Sequence, residues 1–314
     1  MTAVSAVIPT RNRPDLVARA VRSATAQTMT DLEIIVVVDG SDPVTEAALA
    51  AIAEPRLRVL VNPLPVGGGE ARNVGVRAAH GEWIAFLDDD DEWLPAKLEH
   101  QLAEIAASAV DQPIAFCPIV VRGPDGDHAW RSRPTRPGEA ASEYLFVRSS
   151  LRAGEGTVGT STIVARRSLL MAVPFEPGLG RFQDADWILR AAAAGAVFVY
   201  CPRRLSIWTA PGQRASITAA HATDWRQAAD WIGRRRGLVT ARAYAAFLLV
   251  RVAALAAASG DRSAIRVLWR EARRAGRPGV LDVVLFGARW IVPDGFRRRL
   301  RRRLAGVRLP LGQT

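Results

Sequence analysis

The first half of the chain alternates between two hydrophobic periods. Short apolar runs closed by turn residues predict strands, and the stretches between them, with apolar residues three and four positions apart, predict helices. The predicted strands are Val4–Ile8, Leu32–Val38, Leu57–Val61 and Trp83–Leu87, and the predicted helices are one beginning at Pro14, Val44–Ala53, Glu70–Ala79 and Pro95–Ala107. This order predicts right-handed crossovers and an α/β fold built on a mostly parallel sheet.

The second half of the chain carries a weaker pattern. Arg122–Gly138 is rich in Pro, Gly, Arg and Asp, which predicts a loop. The periodicity then predicts a strand at Gly159–Ala165, a helix at Asp184–Ala194 and a strand at Val197–Cys201. Beyond about residue 215 only helical periodicity remains, and no internal repeat is found.

The predicted sheet locates a site before any motif is considered. In open parallel sheets, ligands bind beyond the carboxyl ends of the strands. Three polar segments directly follow predicted strands, at Thr10–Arg13, Asp39–Asp42 and Asp88–Asp91. We therefore expect all three segments to line one crevice.

Four consecutive aspartates, Asp88–Asp91, are the most informative feature of this crevice. Neighbouring carboxylates repel one another, and a divalent cation with a polar ligand lowers that cost. Mn²⁺ and Mg²⁺ prefer oxygen ligands, commonly one or two carboxylates together with substrate phosphates. The alternative is an acidic first turn before the helix at Pro95, favoured by the helix dipole. The pattern favours a Mn²⁺ or Mg²⁺ site that holds a diphosphate.

A run of glycines at Gly67–Gly69 leads into a predicted helix. Such glycines can let backbone N–H groups approach an anion at a helix N-terminus. The run lacks the Lys-Ser/Thr ending of a P-loop. A flexible loop followed by a helix start therefore remains an equal alternative.

Four segments, in this order, resemble glycosyltransferase family 2. They are Val7–Leu16 (VIPTRNRPDL), Val38–Ser41 (VDGS), Ala71–Gly75 (ARNVG) and Gly81–Asp91 (GEWIAFLDDDD). The resemblance is strong over residues 4–105 and thinner to about residue 217. It implies a GT-A fold, in which a Rossmann-like nucleotide half joins an acceptor half, and a nucleotide-sugar donor.

The resemblance also implies roles for individual residues. Asp88 and Asp90 take the places of the family's Asp-x-Asp motif, so Asp90 is expected to coordinate the metal and Asp88 to contact the ribose or a metal-bound water. The implied donor-binding residues are Pro9, Thr10, Asn12, Asp39, Arg72, Asp88 and Asp89. Arg11 replaces the usual aromatic residue and Val38 replaces an acidic one, which leaves the donor open between UDP-, dTDP- and GDP-linked sugars.

A later segment resembles the family's Glu-Asp or Gln-Asp motif at the start of a helix. Here it reads Gln183-Asp184, with Asp186 two positions further along. The resemblance implies that Asp184 is the general base of a single inverting displacement at the sugar's anomeric carbon. The alternative is that Asp184 is only an acid in the first turn of a helix, stabilised by the dipole.

The motifs divide the chain into a GT-A domain at residues 1–217 and a basic helical region at residues 218–314. Within the domain, residues 1–110 are the expected nucleotide half and residues 111–217 the acceptor half. Trp231–Thr314 contains 19 arginines and four acidic residues, a formal charge of +15, whereas the first 230 residues carry −4. The asymmetry favours a polyanionic partner surface, and a solvated arginine-rich face is the equal alternative.

The end of the chain suits an interfacial helix on anionic lipid. Phe286, Trp290, Ile291 and Phe296 lie beside Arg289 and the cluster Arg297–Arg303. This pattern predicts peripheral attachment to the inner face of the cytoplasmic membrane, near lipid-linked or polysaccharide acceptors that offer a hydroxyl. Ordinary helix packing with a solvated basic end is the alternative.

Other features of the sequence limit the alternatives. No signal peptide is evident, and neither Ala243–Ala258, interrupted by Arg251, nor Val280–Val292 is expected to span a membrane. Cys117 and Cys201 lack metal-ligand spacing and are expected in the core of a protein in a reducing cytoplasm.

Two rival functions are left open. A sugar nucleotidyltransferase would release pyrophosphate, but Pro9–Pro14 lacks the glycine-rich loop of that class. A non-enzymatic nucleic-acid-binding protein would explain the arginines but not the aspartates. We therefore expect no nucleic-acid partner.

Overall fold

The computed structural model describes two compact units. The described residues are 3–123, 126–130, 132–150, 155–209 and 224–292. The first unit comprises the described residues up to 134 together with 158–209, and the second comprises those of 135–157 together with 224–292.

The first unit contains eleven described strands in two sheets. They are β1 (Val4–Thr10), β2 (Leu32–Asp39), β3 (Leu57–Asn62), β4 (Trp83–Phe86), β5 (Asp91–Trp93), β6 (Pro113–Phe116), β7 (Ile119–Gly123), β8 (Gly126–Ala129), β9 (Val164–Arg166), β10 (Val197–Tyr200) and β11 (Ser206–Thr209). The large sheet has the order β10-β6-β9-β4-β1-β2-β3. Only β9 runs antiparallel to its neighbours β4 and β6, so the sheet is mostly parallel, as the sequence predicts.

Eleven helices surround these sheets or form the second unit in the described part of the chain. They are α1 (Pro14–Thr25), α2 (Pro43–Ala50), α3 (Gly68–Ala78), α4 (Lys97–Ser108), α5 (Ala141–Phe146), α6 (Arg167–Ala172), α7 (Gln183–Ala193), α8 (Trp225–Arg234), α9 (Ala241–Ala258), α10 (Ala264–Ala275) and α11 (Val280–Ile291). Helices α5 and α8 to α11 belong to the second unit. The helical character predicted beyond residue 215 is confirmed for residues 224–292.

The core of the first unit lies where the apolar pattern is continuous. Every residue of β1 and β2 is buried, which explains why these strands carry apolar runs rather than an alternating pattern. Helices α1 and α2 begin at prolines, whose fixed φ angle suits the first turn. Cys117 and Cys201 are free, buried thiols in the core, as the sequence predicts.

Two predictions are corrected in the first unit. The small sheet has the strand order β5-β11-β7-β8. The predicted loop at Arg122–Gly138 was wrong in its first part, because β7 and β8 pair there as an antiparallel hairpin. The predicted strand at Gly159–Ala165 was also wrong in its first part, where Thr160–Thr162 forms a 3₁₀ turn before β9. Strand β8 (GDHA) is short and largely polar, so it carries no apolar alternation.

Aromatic side chains pack the second unit. The ring of Phe146 on α5 lies 4.8 Å from the ring of Phe247 on α9, and Trp231 on α8 lies 5.2 Å from Phe247. The middle of α9, Phe247–Val252, is wound as a π-helix. Since these contacts join α5 to helices far along the chain, the described residues of 135–157 fold with the helical unit.

One helix of the described residues, α9, is long and apolar enough to cross a membrane by length and composition. More than half of it is buried inside the protein, and the core helix of a soluble protein meets the same criterion. The helix continues through Arg251 and is longer than the apolar run seen in the sequence, and the expectation that it does not span a membrane stays a prediction.

Candidate active site

The turns that follow β1 and β4 are joined by hydrogen bonds. Thr10 Oγ1 donates to Asp89 Oδ2 at 2.8 Å. Arg13 Nη1 donates to Asp89 Oδ1 at 3.0 Å and to Asp90 Oδ2 at 3.2 Å. Between Thr10 and Arg13, Asn12 adopts a left-handed conformation (φ 53°), which asparagine tolerates better than most residues. The parallel pairing of β1 with β4 thus brings two of the predicted polar segments into contact.

The four aspartates have different surroundings. Asp88 forms an ion pair with Arg72, and its backbone N–H donates to Ser161 Oγ at 3.0 Å. Asp91 points into the protein and accepts from Ser161 Oγ at 2.5 Å. The side chains of Asp88 and Asp90 are 32% and 35% exposed, whereas that of Asp89 is 6% exposed. Two of the four carboxylates, Asp88 and Asp90, are therefore accessible to a ligand.

Burial and crowding shift the pKa values of three of these acids, Asp89, Asp90 and Asp91, upwards. Burial raises the pKa of Asp89 to about 6, with the charge of Arg13 acting in the opposite direction. Burial and the charge of Asp88 raise the pKa of Asp90, and the same two causes hold the pKa of Asp91 well above its usual range. The positive side chains nearby do not fully offset the charge of the ionised carboxylates, and a bound cation would lower the cost of keeping them ionised.

The accessible carboxylates suit a divalent metal that takes some of its ligands from a bound phosphate and from water. No three acidic, His or Cys side chains of the described residues converge as a complete ligand set. Mn²⁺ and Mg²⁺ are, however, often held by one or two carboxylates, with phosphates and water as the remaining ligands. The accessible oxygens of Asp88 and Asp90 suit a metal that a bound diphosphate would help to hold.

Arg72 on α3 connects the aspartate turn to α7. Its guanidinium pairs with Asp88 and donates to Gln183 Oε1 at 2.8 Å. The same group lies 5.6 Å over the ring of Phe175. Asn73 holds the segment at Phe175 with two hydrogen bonds. Its side-chain Nδ2 donates to the Phe175 carbonyl (2.9 Å), and its Oδ1 accepts from the Phe175 N–H (2.8 Å). The motif Arg72-Asn73 therefore holds the start of α7 against the aspartate turn.

Asp184 lies in the first turn of α7 and is partly exposed. Burial and the charge of Asp88 raise its pKa, while a hydrogen bond from the Ala185 N–H (2.8 Å) and the charge of Arg72 lower it, with a net upward shift. Its neighbour Asp186 is fully buried and pairs with Arg190 at 2.7 Å, so Asp186 has a structural role. Asp184 is therefore the acid at this helix start that can meet a ligand.

Asp39 is hydrogen-bonded to the glycine run at the start of α3. The buried Asp39 carboxylate accepts hydrogen bonds from the backbone N–H groups of Val66 (2.8 Å) and Gly67 (2.9 Å). Gly67 needs the positive φ of 88° that only glycine adopts readily. A side chain at Gly69 would lie 3.2 Å from the carbonyl of Glu176, so the segment before α7 packs closely there. Asp39 thus orients the start of α3 at the same edge of the sheet.

Sequence reasoning missed two residues of this site. Ser161 contacts both Asp88 and Asp91, but an isolated serine without a motif gave no signal. Arg13 was placed in a polar segment without a role of its own. Its position after β1, beside four acids, was a usable signal for an ion pair.

The polar edge at the carboxyl ends of β1, β2 and β4, with the start of α7 beside it, defines a GT-A-type protein. The family model described as "Glycosyl transferase family 2" matches residues 5–172. The chain belongs to glycosyltransferase family 2.

Similar proteins agree with this assignment. The succinoglycan biosynthesis protein ExoO of Rhizobium meliloti (strain 1021) is 39% identical over 123 residues, covering 39% of this chain and 35% of that protein. The amylovoran biosynthesis glycosyltransferase AmsB of Erwinia amylovora is 25% identical over 262 residues, covering 76% and 82%. The UDP-Glc:alpha-D-GlcNAc-diphosphoundecaprenol beta-1,3-glucosyltransferase WfgD of Escherichia coli is 33% identical over 100 residues, covering 32% and 40%. The chain therefore spans about a third of the first of these relatives.

Solved structures show the same fold. TarS residues 1–349 of S. aureus, in complex with UDP-GlcNAc, matches with a TM-score of 0.53 at 18% identity. The match covers 85% of this chain and 70% of that one. This likeness supports the GT-A architecture of the chain.

Proposed function

We propose that the protein transfers a sugar from a nucleotide-sugar donor to a hydroxyl of a polysaccharide or lipid-linked acceptor, with inversion at the anomeric carbon. One observation carries the proposal. Arg72 joins Asp88, at the strand end where a donor would lie, to Gln183 at the start of α7. The candidate base Asp184 is therefore held beside the candidate donor site.

The donor would lie over the carboxyl ends of β1, β2 and β4. Its contacts are assigned to the segment of Pro9, Thr10 and Asn12 and to Asp39, Arg72, Asp88 and Asp89. A uridine nucleotide is the favoured donor class, since the TarS structure is a complex with UDP-GlcNAc and the name of the E. coli relative includes UDP-Glc. GDP- and dTDP-sugars are the alternatives to be tested beside it.

A divalent cation, Mn²⁺ or Mg²⁺, is proposed at Asp90. When bound, it would supply positive charge that stabilises the departing diphosphate. Asp88 would hold the ribose or a metal-bound water. Arg13 already compensates part of the charge of Asp89 and Asp90, so these acids stay close together before any ligand arrives.

Asp184 is proposed as the general base. It would accept the proton of the acceptor hydroxyl while that oxygen bonds to the anomeric carbon and the bond to the diphosphate oxygen breaks, releasing a nucleoside diphosphate. A base works best when its pKa approaches the working pH, and burial and the charge of Asp88 shift the pKa of Asp184 in that direction.

The acceptor is proposed to be a growing cell-surface glycan, carried on a lipid. The names of the relatives mention succinoglycan biosynthesis, amylovoran biosynthesis and a diphosphoundecaprenol-linked sugar. Such an acceptor would require the protein to work at the cytoplasmic face of a membrane, in agreement with the peripheral attachment predicted from the basic end of the sequence.

Replacing Asp184 by Asn tests the catalytic assignment. The variant keeps the shape of the side chain but cannot accept the proton, so transfer should fall by about 10²- to 10⁴-fold. Binding of UDP, measured by titration calorimetry in the presence of Mn²⁺, should be unchanged. Asp230→Asn, at an exposed helix position of the second unit, is the control and should transfer normally. Transfer by Asp184→Asn at the wild-type rate would refute the assignment.

A further inference from the structure

Helix α11 leaves an apolar stripe uncovered. Val280, Val283, Val284 and Ile291 are 84%, 36%, 57% and 82% exposed. Their spacing of three, four and eleven residues from Val280 places them on one side of a helix with 3.6 residues per turn. Gly287 lies within the same stripe and adds no polar group.

The opposite side of α11 is held firmly to the second unit. Phe286 is buried and stacks on Trp269 of α10, with ring centroids 6.2 Å apart. Asp282 is fully buried, pairs with Arg242 of α9 and accepts a hydrogen bond from the Gly279 N–H at 3.0 Å. These contacts fix the rotation of the helix, so the stripe faces outward as part of the fold.

This arrangement changes the membrane anchors predicted from the sequence. Phe286 was predicted to contact lipid, but it packs against Trp269 inside the protein. Ile291 remains available, Trp290 is partly buried and Phe296 lies outside the described residues. The exposed valines, which the sequence alone did not single out, take the place of Phe286.

Helix α10, which packs against α11 through Trp269, carries a basic face. Arg262, Arg266, Arg270 and Arg273 are exposed, and none of them forms an ion pair with another described residue. Arg262 precedes α10, and the spacing of four and seven residues places Arg266, Arg270 and Arg273 on one side of that helix, where Arg273 lies 5.6 Å over the ring of Trp269. Because Trp269 contacts Phe286 of α11, the helix that carries the basic face packs beside the helix that carries the apolar stripe.

We propose that this surface of α10 and α11 docks on an anionic lipid bilayer. The valines and Ile291 would enter the boundary between headgroups and acyl chains, and the arginines would bind the lipid phosphates. An apolar stripe on one helix and a basic face on the adjacent helix have this chemistry. A nucleic acid would use the arginines but leave the aliphatic stripe in water. In the sequence, Arg297–Arg303 follow α11 and increase the positive charge.

Vesicle flotation of the full-length protein tests the docking surface. We expect it to float with phosphatidylcholine vesicles that contain phosphatidylglycerol and to stay at the bottom with phosphatidylcholine alone. The triple variant Val280→Gln, Val284→Gln and Ile291→Gln should bind at least about tenfold more weakly, since each exposed apolar side chain contributes transfer energy. The control variant Val44→Gln and Met171→Gln, at exposed apolar positions of the first unit, should float like the wild type.

A second variant separates charge from apolar insertion. Arg266→Gln with Arg270→Gln should lose most of the preference for phosphatidylglycerol and become less sensitive to salt, because the screened headgroup attraction is then largely absent. Circular dichroism should show that all variants are folded. The proposal is overturned if the wild type does not float, or if the triple variant floats equally well. It is also overturned if sedimentation shows a dimer that only the triple variant dissociates, since a second copy would then cover the stripe.

Discussion

Ser161 gives the aspartate turn a single conformation. Its hydroxyl accepts from the Asp88 N–H and donates to Asp91, and its carbonyl accepts from Trp93 Nε1 at 2.7 Å. These bonds satisfy one oxygen of the buried Asp91 and turn Asp88 towards the sheet edge. Ser161 therefore holds Asp91 in the core and leaves the side chain of Asp88 accessible to a ligand.

Glu33 shows a different use of a buried acid. Burial by itself raises its pKa, but hydrogen bonds from Ser5 Oγ, the His80 N–H and the Arg58 guanidinium outweigh burial and lower the pKa to about 2. The carboxylate thereby ties β2 to β1 and to the segment before β4. A lowered pKa means that this contribution to folding stability is present above pH 4.5, the usual value, and is lost as the pH falls towards 2.

Replacing Glu33 by Gln should therefore destabilise the protein in a pH-dependent way. Near pH 7 the free energy of unfolding should fall by on the order of 2 kcal/mol, and the difference from the wild type should shrink near pH 3. Urea unfolding at both pH values measures this. Glu82→Gln, at a side chain that is 60% exposed, should change little. An equal difference in unfolding free energy between Glu33→Gln and the wild type at both pH values would contradict the role given to Glu33.

Motif order indicated Thr10, Asp88 and Asp184 as candidate site residues, because each follows or begins an element with a clear apolar pattern, and their roles stay predictions. The contacts between them could not be predicted in the same way. Arg13 and Asp89 are 76 residues apart, and their contact depends on the parallel pairing of β1 with β4. No local pattern encodes such a pair.

At the scale of elements, α3 lies unusually close to the sheet. A Cβ atom at Gly75 would overlap Val7 Cγ1 on β1 and touch Val37 Cγ2 on β2 at 3.4 Å. The glycine of the motif Ala71–Gly75 is therefore required by packing. This close approach also keeps Arg72, on the same helix, within reach of Asp88.

Gly75→Ala should destabilise the protein by about 1–3 kcal/mol, because the added methyl group overpacks the helix–sheet contact. Gly233→Ala is the matched control, since nothing lies within 4 Å of a Cβ atom there on α8. The control should be neutral or gain up to about 1 kcal/mol from its higher helix propensity. The two variants are compared by their urea unfolding midpoints, provided that the m-values are equal. An unchanged midpoint for Gly75→Ala would contradict the role of Gly75 in packing.

Strands β1 to β4 of the large sheet were predictable because they are mainly apolar runs that alternate with helices. Strand β6 (Pro113–Phe116) and the small sheet were not predictable in this way. Strand β5 (DEW) has three residues, and its partner β11 lies more than a hundred residues further along, with Trp93 opposite Ser206. Pairings of this kind arise from the tertiary fold, and short polar strands leave no periodic trace in the sequence.

At the scale of the whole molecule, the second unit includes α5, which comes from the middle of the chain, together with the later helices α8 to α11. Thr240 at the start of α9 donates its N–H to Ser142 Oγ at 3.2 Å and its hydroxyl to Glu143 at 2.8 Å. A division into residues 1–217 and 218–314 remains a prediction based on motifs and charge. The sequence could not show that α5 packs with helices about a hundred residues away.

The proposed reaction moves a sugar from a nucleoside diphosphate to an acceptor hydroxyl. The most direct measurement is product analysis of the full-length protein with UDP-, dTDP- and GDP-sugars, Mn²⁺ and a polyprenyl-diphosphate-linked sugar. We expect a released nucleoside diphosphate, a glycosylated lipid with inverted anomeric configuration by NMR, and loss of both products with a metal chelator. Release of pyrophosphate, or no acceptor-dependent release of nucleoside diphosphate from any donor, would contradict it.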